Sequence, residues 1–362
     1  MKSTYQIFFA TIFCLLAIGC SQDNGSNVAV NSNCNFGGDW LIPIASVFDG
    51  GPGCDGIPSI DNPAFIPQSS ADFMRSNDLV LAAQMDGETK LYAHPILDWH
   101  EIINDRIGNQ DMAIVYCPLT GTGIGWDREL ANGENTTFGV SGVLYNNNIV
   151  PYDRLTGSNW SQQLLQCVNG ELIGERPTTF NLVEMRWEDA QSLFPDALVS
   201  SDQTGFNRDY LTYPYGDYRT NNDNLIFPLT NDDDRLPSKD RVLGVIDGTT
   251  AKAYQFTDFA EQGWSLIEDE LDGRQLVLIG SQSPEIINVF DRVLSDGTVL
   301  NFTLLEDAGA ELLQDQEGNI WNLFGTAVSG PRMGQQLVAP TAFIGYWFSW
   351  GAFYPDIELY VP

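Results

Sequence analysis

His100 and Cys117 are the two side chains in this chain best equipped to react together. They lie within WHEIINDRIGNQDMAIVYCPLTGTGIGWDR, from Trp99 to Arg128, in a chain with only two histidines. The apolar alternation broken by Ile-Gly-Asn-Gln predicts a β-hairpin, which sets His100 and Cys117 on neighbouring strands. Three kinds of site follow. In a cysteine enzyme, Cys117 is the nucleophile and His100 its base, because the thiolate attacks and a nearby imidazolium lowers its pKa. There Thr120, Thr122 and the N–H groups of Leu119 to Gly123 would donate to an oxyanion. Ser141, Tyr152, Asp153 and Arg154 would bind or orient an anionic group. In a metal site, His94, His100 and Cys117 suit zinc or copper, with Met85 or Met112 as a soft fourth ligand. In a binding or structural module, Cys117 is disulfide-bonded to Cys167 and His100 is a satisfied buried imidazole. The aromatic run of Tyr346, Trp347, Phe348, Trp350, Phe353 and Tyr354 then lines a groove or, as aromatics commonly do, fills a core.

The start of the chain bears on where such chemistry takes place. Lys2 supplies a positive region, Ile7 to Ile18 an apolar one, and Gly19-Cys20 ends a loose lipobox. The apolar stretch is too short to span a bilayer, so residues 1–20 read as a lipoprotein signal with Cys20 lipidated. This predicts an extracytoplasmic protein, periplasmic or on the cell surface, held to a bacterial membrane by its lipid. Residues 21–54 form a polar tether and entry segment. Disulfides are allowed outside the cytoplasm, and Cys34 and Cys54 flank one short segment as natural partners.

Composition narrows the partners. The 362 residues carry 48 acids against 17 Lys and Arg, a net charge of −31. That excludes a nucleic-acid partner, whose phosphates demand cations. It leaves a small-molecule or protein ligand besides the membrane. The run NDDDR, Asn231 to Arg235, has too few spaced oxygens for an EF-hand loop.

The elements that position these residues come in two similar series. LVLAAQMDGETKLYA from Leu79 resembles RVLGVIDGTTAKAYQ from Arg241, and RWEDAQSLFPD from Arg186 resembles YWFSWGAFYPD from Tyr346. Four further segment pairs keep the offset between 160 and 164 residues. A register held over six segments predicts two tandem homologous repeats, 55–200 and 241–362, joined by a structured connecting loop, 201–240. The fold class is mainly β (a β-rich α+β), each repeat being a meander-like unit with a short helix near its end. Strands are expected over Asn77 to Gln84, Lys90 to His94, Thr122 to Arg128, Thr136 to Leu144, Ile149 to Tyr152 and Ser158 to Val168. A helix is expected from Trp187 to Phe194, stopped by Pro195. The second repeat lacks the reactive types: His100 aligns with Trp264 and Cys117 with Ser281. The site is therefore expected in the first repeat.

With YCPLTGT, GGPGCDGIPSIDNPAF, YAHPILDWHEIIND, FGVSGVLYNNNIVPYDRLTGSNW, YPYGDY and RLPSKDRVLGV in hand, the chain resembles the bacterial domain of unknown function 3179. The likeness covers nearly all of the chain after the tether. One departure is that Ala93-His94-Pro95 follows Tyr92, where the family usually has proline directly after the tyrosine. The resemblance implies no activity. The reading as a whole is an uncharacterised extracytoplasmic lipoprotein with a ligand, metal or catalytic site centred on His100 and Cys117.

Overall fold

Strand pairing runs in the same order in both halves of the chain. The computed structural model describes residues 34–305 and 309–362; the expected lipoprotein signal, Cys20 and most of the expected tether lie outside them. In the first half, strands Val183–Arg186, Leu79–Met85, Glu88–Ala93 and Leu198–Ser200 lie side by side, the last pair parallel. In the second half, Thr341–Tyr346, Arg241–Asp247, Thr250–Gln255 and Glu358–Leu359 do the same, again with the last pair parallel. Each half adds an antiparallel three-strand meander. These are Ile102–Ile107, Gln110–Cys117 and Thr122–Asp127, then Ser265–Leu271, Arg274–Ser281 and Ile286–Asp291. Each half has a four-stranded sheet of short strands, and the first half has in addition a three-stranded sheet of Val47–Asp49, Val143–Tyr145 and Asn148–Ile149. The class is mainly β.

Local chemistry explains the correspondence. Asp86-Gly87 and Gly248-Thr249 make the hairpin turns, with Gly87 and Gly248 at positive φ. Lys90 and the Tyr92 hydroxyl both reach Asp105; Lys252 and the Tyr254 hydroxyl both reach Asp269. The Trp160 indole donates to Asp153 at 3.0 Å and the Trp321 indole to Asp315 at 2.9 Å. Each pair of buried aromatics thus carries its polar tip to a carboxylate. The helices Trp187–Leu193 and Trp347–Phe353 open alike, the Trp187 N–H on the Asp78 carbonyl and the Trp347 N–H on that of Asp240.

Three local expectations are corrected. The pattern from Lys90 to His94 predicts a strand leading to a hairpin that contains His100. Instead the strand ends at Ala93 and helix α1 spans His94–His100, with Pro95 in its first turn and Glu101 at φ 59° behind it. His100 thus ends a helix and is not on the hairpin, which is built by Ile102–Ile107 and Gln110–Cys117. Ser158 to Val168 is a hairpin, Asn159–Ser161 with Gln166–Asn169, because Leu165 turns at φ 52°. Thr136 to Leu144 divides between Phe138–Gly139 and Val143–Tyr145 at Gly142, φ 84°.

The halves share their cores. One cluster packs Val80, Ile114 and Met185 with Val277, Phe290 and Trp321; another packs Val115, Trp126 and Trp160 with Val242, Phe343 and Trp350. Ser32–Pro362 is accordingly one compact unit. The connecting segment 201–240 has no helix or strand and buries Tyr210 and Tyr218. No helix among the described residues is long and apolar enough to cross a membrane.

Candidate functional site

The residues singled out above are held in three separate networks. His100 is fully buried, with Nδ1 2.7 Å from the Pro58 carbonyl and Nε2 2.7 Å from the Tyr210 hydroxyl. A carbonyl only accepts, so the ring partners assign the proton to Nδ1, and Nε2 accepts from Tyr210. Burial lowers the His100 pKa and keeps the ring neutral. Cys117 is also fully buried; its thiol donates to the Asn147 carbonyl at 3.5 Å, and burial pushes its pKa up to about 11. His100 and Cys117 thus spend their hydrogen bonds on other partners, and the thiol is held in its protonated, unreactive form. His94, in turn, lies 3.0 Å from a Glu184 oxygen. Among the described residues no three His, Cys, Asp or Glu side chains are grouped to hold a metal ion, so His94, His100 and Cys117 do not converge as a ligand set for zinc or copper.

The disulfide expected in the structural alternative is not formed: Cys117 and Cys167 are both free and buried. Cys167 sits opposite Trp160 in the short-stranded sheet, whereas Cys117 ends a strand of the meander. Cys34 and Cys54 are joined by a disulfide.

The other candidates act as joints. The Thr120 hydroxyl accepts from the Asn148 amide at 2.9 Å, the Thr122 hydroxyl donates to the Thr120 carbonyl, and the Ser141 hydroxyl donates to that of Val150. Asp153 accepts from Thr156 and Trp160. Tyr152 donates to Asp55, and Arg154 binds Asp55, Ser59 and Asp61, tying down the start of the first repeat. The Asn146-Asn147-Asn148 run is wholly buried. The Asn146 and Asn147 side chains accept from the Thr230 and Phe227 N–H groups, fastening the connecting segment, and the Asn148 amide donates to Gln162.

The run around Thr120-Gly121 is where the second half docks. The Tyr346 N–H donates to the Thr120 carbonyl at 2.8 Å. Gly121 has φ 60°, and a Cβ there would stand 3.0 Å from the Tyr346 ring, so glycine is required on both counts. Beside this joint lies a cavity of about 140 Å³ lined by Leu79, His94, Tyr116, Gly121, Glu184, Arg219, Lys239, Arg241 and Tyr346. Four basic side chains thus meet in one small space of a strongly acidic protein.

The helix α1 places His94, the connecting segment places Arg219 and Lys239, and the strand that follows it places Arg241. His94 opens α1, its ring 4.5 Å from that of Tyr116. Arg241 starts a strand and bridges Glu184 and Glu285, the latter also held by Arg186 at 2.6 Å. Burial would raise the Glu184 pKa, but Arg241 and His94 outweigh it and pull it down to about 2. Arg219 pairs with Asp98 and lies 3.8 Å over the Tyr213 ring. Lys239 differs: it is 7% exposed, yet its Nζ has no hydrogen-bond partner among the described residues. It sits 3.2 Å from the Tyr218 ring centroid, 4.7 Å from Phe348 and 5.5 Å from Tyr346. Burial lowers its pKa to about 7.

A second cavity, about 90 Å³, lies under the entry segment and is mostly apolar, with Ile57, Ile102, Leu119, Leu144 and Phe227 around the carboxyl of Glu101. Burial raises that carboxyl to about 8, so it stays protonated at neutral pH. One neutral acid among apolar walls gives far less for a ligand to recognise than the charged cavity does.

The family model described as a protein of unknown function, DUF3179, matches residues 54–357. The chain belongs to this family. No curated protein and no solved structure is significantly similar to it. Within the family match, the YCPLTGT and RLPSKDRVLGV segments supply Tyr116, Gly121, Lys239 and Arg241 to the charged cavity. Sequence reasoning passed over Glu184, Arg219, Lys239 and Arg241. The available signal was scarcity: the chain has four lysines, and a cation is unusual enough here to ask what it faces.

Proposed function

We propose that the protein is an extracytoplasmic, lipid-anchored protein that binds a small oxyanion, carboxylate or phosphate, in the cavity beside Gly121. The observation that carries the reading is Lys239, a buried ammonium group without a hydrogen-bond partner among the described residues, sharing that cavity with Arg219, Arg241 and His94. A buried charge without a partner is costly, and an anion supplies the missing acceptor. Guanidinium groups favour carboxylate and phosphate because their planar N–H forks match those oxygens. The volume suits a few heavy atoms. The reading moves the centre of the site from His100 and Cys117 in the first repeat to Lys239 at the joint with the second, where His94 alone of the four bases belongs to the first repeat. The lipobox at Cys20 supports the location, and the Cys34–Cys54 disulfide fits an oxidising compartment.

The test is thermal unfolding of the purified full chain with acetate or phosphate, against sodium chloride at equal ionic strength. A ligand at a hundred times its Kd stabilises by about 2.7 kcal/mol. A saturable rise in Tm, reduced in Arg219→Gln and Lys239→Met, is expected. A rise no larger than that given by chloride sinks the reading.

A further inference from the structure

We propose that Lys239 forms a covalent imine with a small oxo acid, a compound carrying a carboxylate beside an aldehyde or ketone. This rests on the anion-binding reading and adds a reaction to it. Among the described residues there are three lysines. Lys90 and Lys252 occupy equivalent places on their hairpins and are ion-paired with Asp105 and Asp269 at 3.0 and 2.9 Å. Lys239 has neither carboxylate nor carbonyl on its amine among those residues. Its surroundings are the faces of Tyr218, Phe348 and Tyr346, and it opens onto the cavity that Arg219 and Arg241 also line. A lysine desolvated among rings and near other cations is the setting in which amines become nucleophiles at neutral pH. The lowered pKa, about 7, agrees with that setting.

The chemistry balances without an oxidant or reductant. The neutral Lys239 amine attacks the carbonyl carbon, forming a C–N bond as the carbonyl oxygen takes up a proton. The carbinolamine then loses water, giving the imine. The His94 imidazole and the Tyr116 and Tyr346 hydroxyls line the same cavity as groups through which a proton can pass. The guanidinium groups hold the carboxylate, which brings the carbonyl to the amine. When protonated, the imine puts a cation where the ammonium stood, so the contact with the Tyr218 ring is kept.

Pyruvate with sodium cyanoborohydride tests this on the full chain, since hydride turns the imine into a stable secondary amine. Intact mass and peptide mapping are expected to find one adduct, on Lys239, whose yield rises as pH passes through about 7. Lys239→Met should abolish it, and Arg219→Gln should lower its rate about tenfold or more at low pyruvate. Mapping in the wild-type chain keeps the test decisive even where a variant folds poorly. Acetate stabilisation is measured alongside. Stabilisation by acetate without an adduct overturns the imine and leaves anion binding standing. Equal modification of Lys90, Lys239 and Lys252 also overturns it. Neither stabilisation nor adduct removes both readings.

Discussion

The two joints between the halves occupy equivalent places in the topology and end differently. At one, the Tyr346 N–H reaches across to the Thr120 carbonyl; at the other, the Arg186 N–H reaches across to the Pro284 carbonyl. The residue after each acceptor has positive φ, Gly121 at 60° and Glu285 at 53°. Glu285 fills its joint, binding Arg186 and Arg241 together. Gly121 has no side chain to offer, and a cavity remains beside it with Lys239 at its wall. Two similar frameworks thus produce one closed joint and one open one, and the candidate chemistry belongs to the open joint between the halves.

The largest expected effect comes from the carboxylate that serves both joints. Glu184→Gln leaves Arg241 and His94 without their buried partner and should cost about 3–5 kcal/mol in urea unfolding. Glu285→Gln, at a side chain 27% exposed, should cost less, about 1–2 kcal/mol, because water screens it. Equal costs would break the contrast between a buried and a rim carboxylate. The Glu184 contribution also has a pH signature. Its folded pKa of about 2 is below the unfolded value, so the stabilisation is full above about 4.5 and is lost as pH falls towards 2.

Gly121→Ala should cost about 1–3 kcal/mol, from left-handed backbone and the Tyr346 ring together. It should also weaken oxyanion binding, while Glu285→Gln leaves binding less affected. A Gly121→Ala chain with wild-type stability and binding would show that the open joint does not depend on glycine. Smaller still, Tyr92→Phe and Tyr254→Phe each remove one hydroxyl from an aspartate and should cost about 1 kcal/mol apiece. Unequal losses would show that the hairpins are less alike than their pairing.

Glu101 provides a control away from both joints. Its folded pKa, about 8, is above the unfolded value, so between about 4.5 and 8 the unfolded chain holds fewer protons and stability falls as pH rises. Glu101→Gln should flatten that decline and stabilise the protein at pH 8, measured by unfolding across the range. Cys117 in the folded protein should resist alkylation at neutral pH, as a buried protonated thiol does.

What short-range chemistry controls could be read along the chain. The apolar alternation broken by Ile-Gly-Asn-Gln marked the hairpin of Ile102–Ile107 and Gln110–Cys117, and Pro195 marked the end of the helix from Trp187. Spacing also made the two series visible. Where a local signal was double-edged it misled: Trp99 and His100 suit a strand, but Pro95 and the turn at Glu101 make α1. Which charges meet was settled by packing. His94 comes from α1, Glu184 from the strand Val183–Arg186, Arg219 from the connecting segment, and Lys239 and Arg241 from its junction with the strand Arg241–Asp247; only the last two are neighbours in sequence. Burial and the company of other charges set their protonation and their partners, and both arise only when the halves pack.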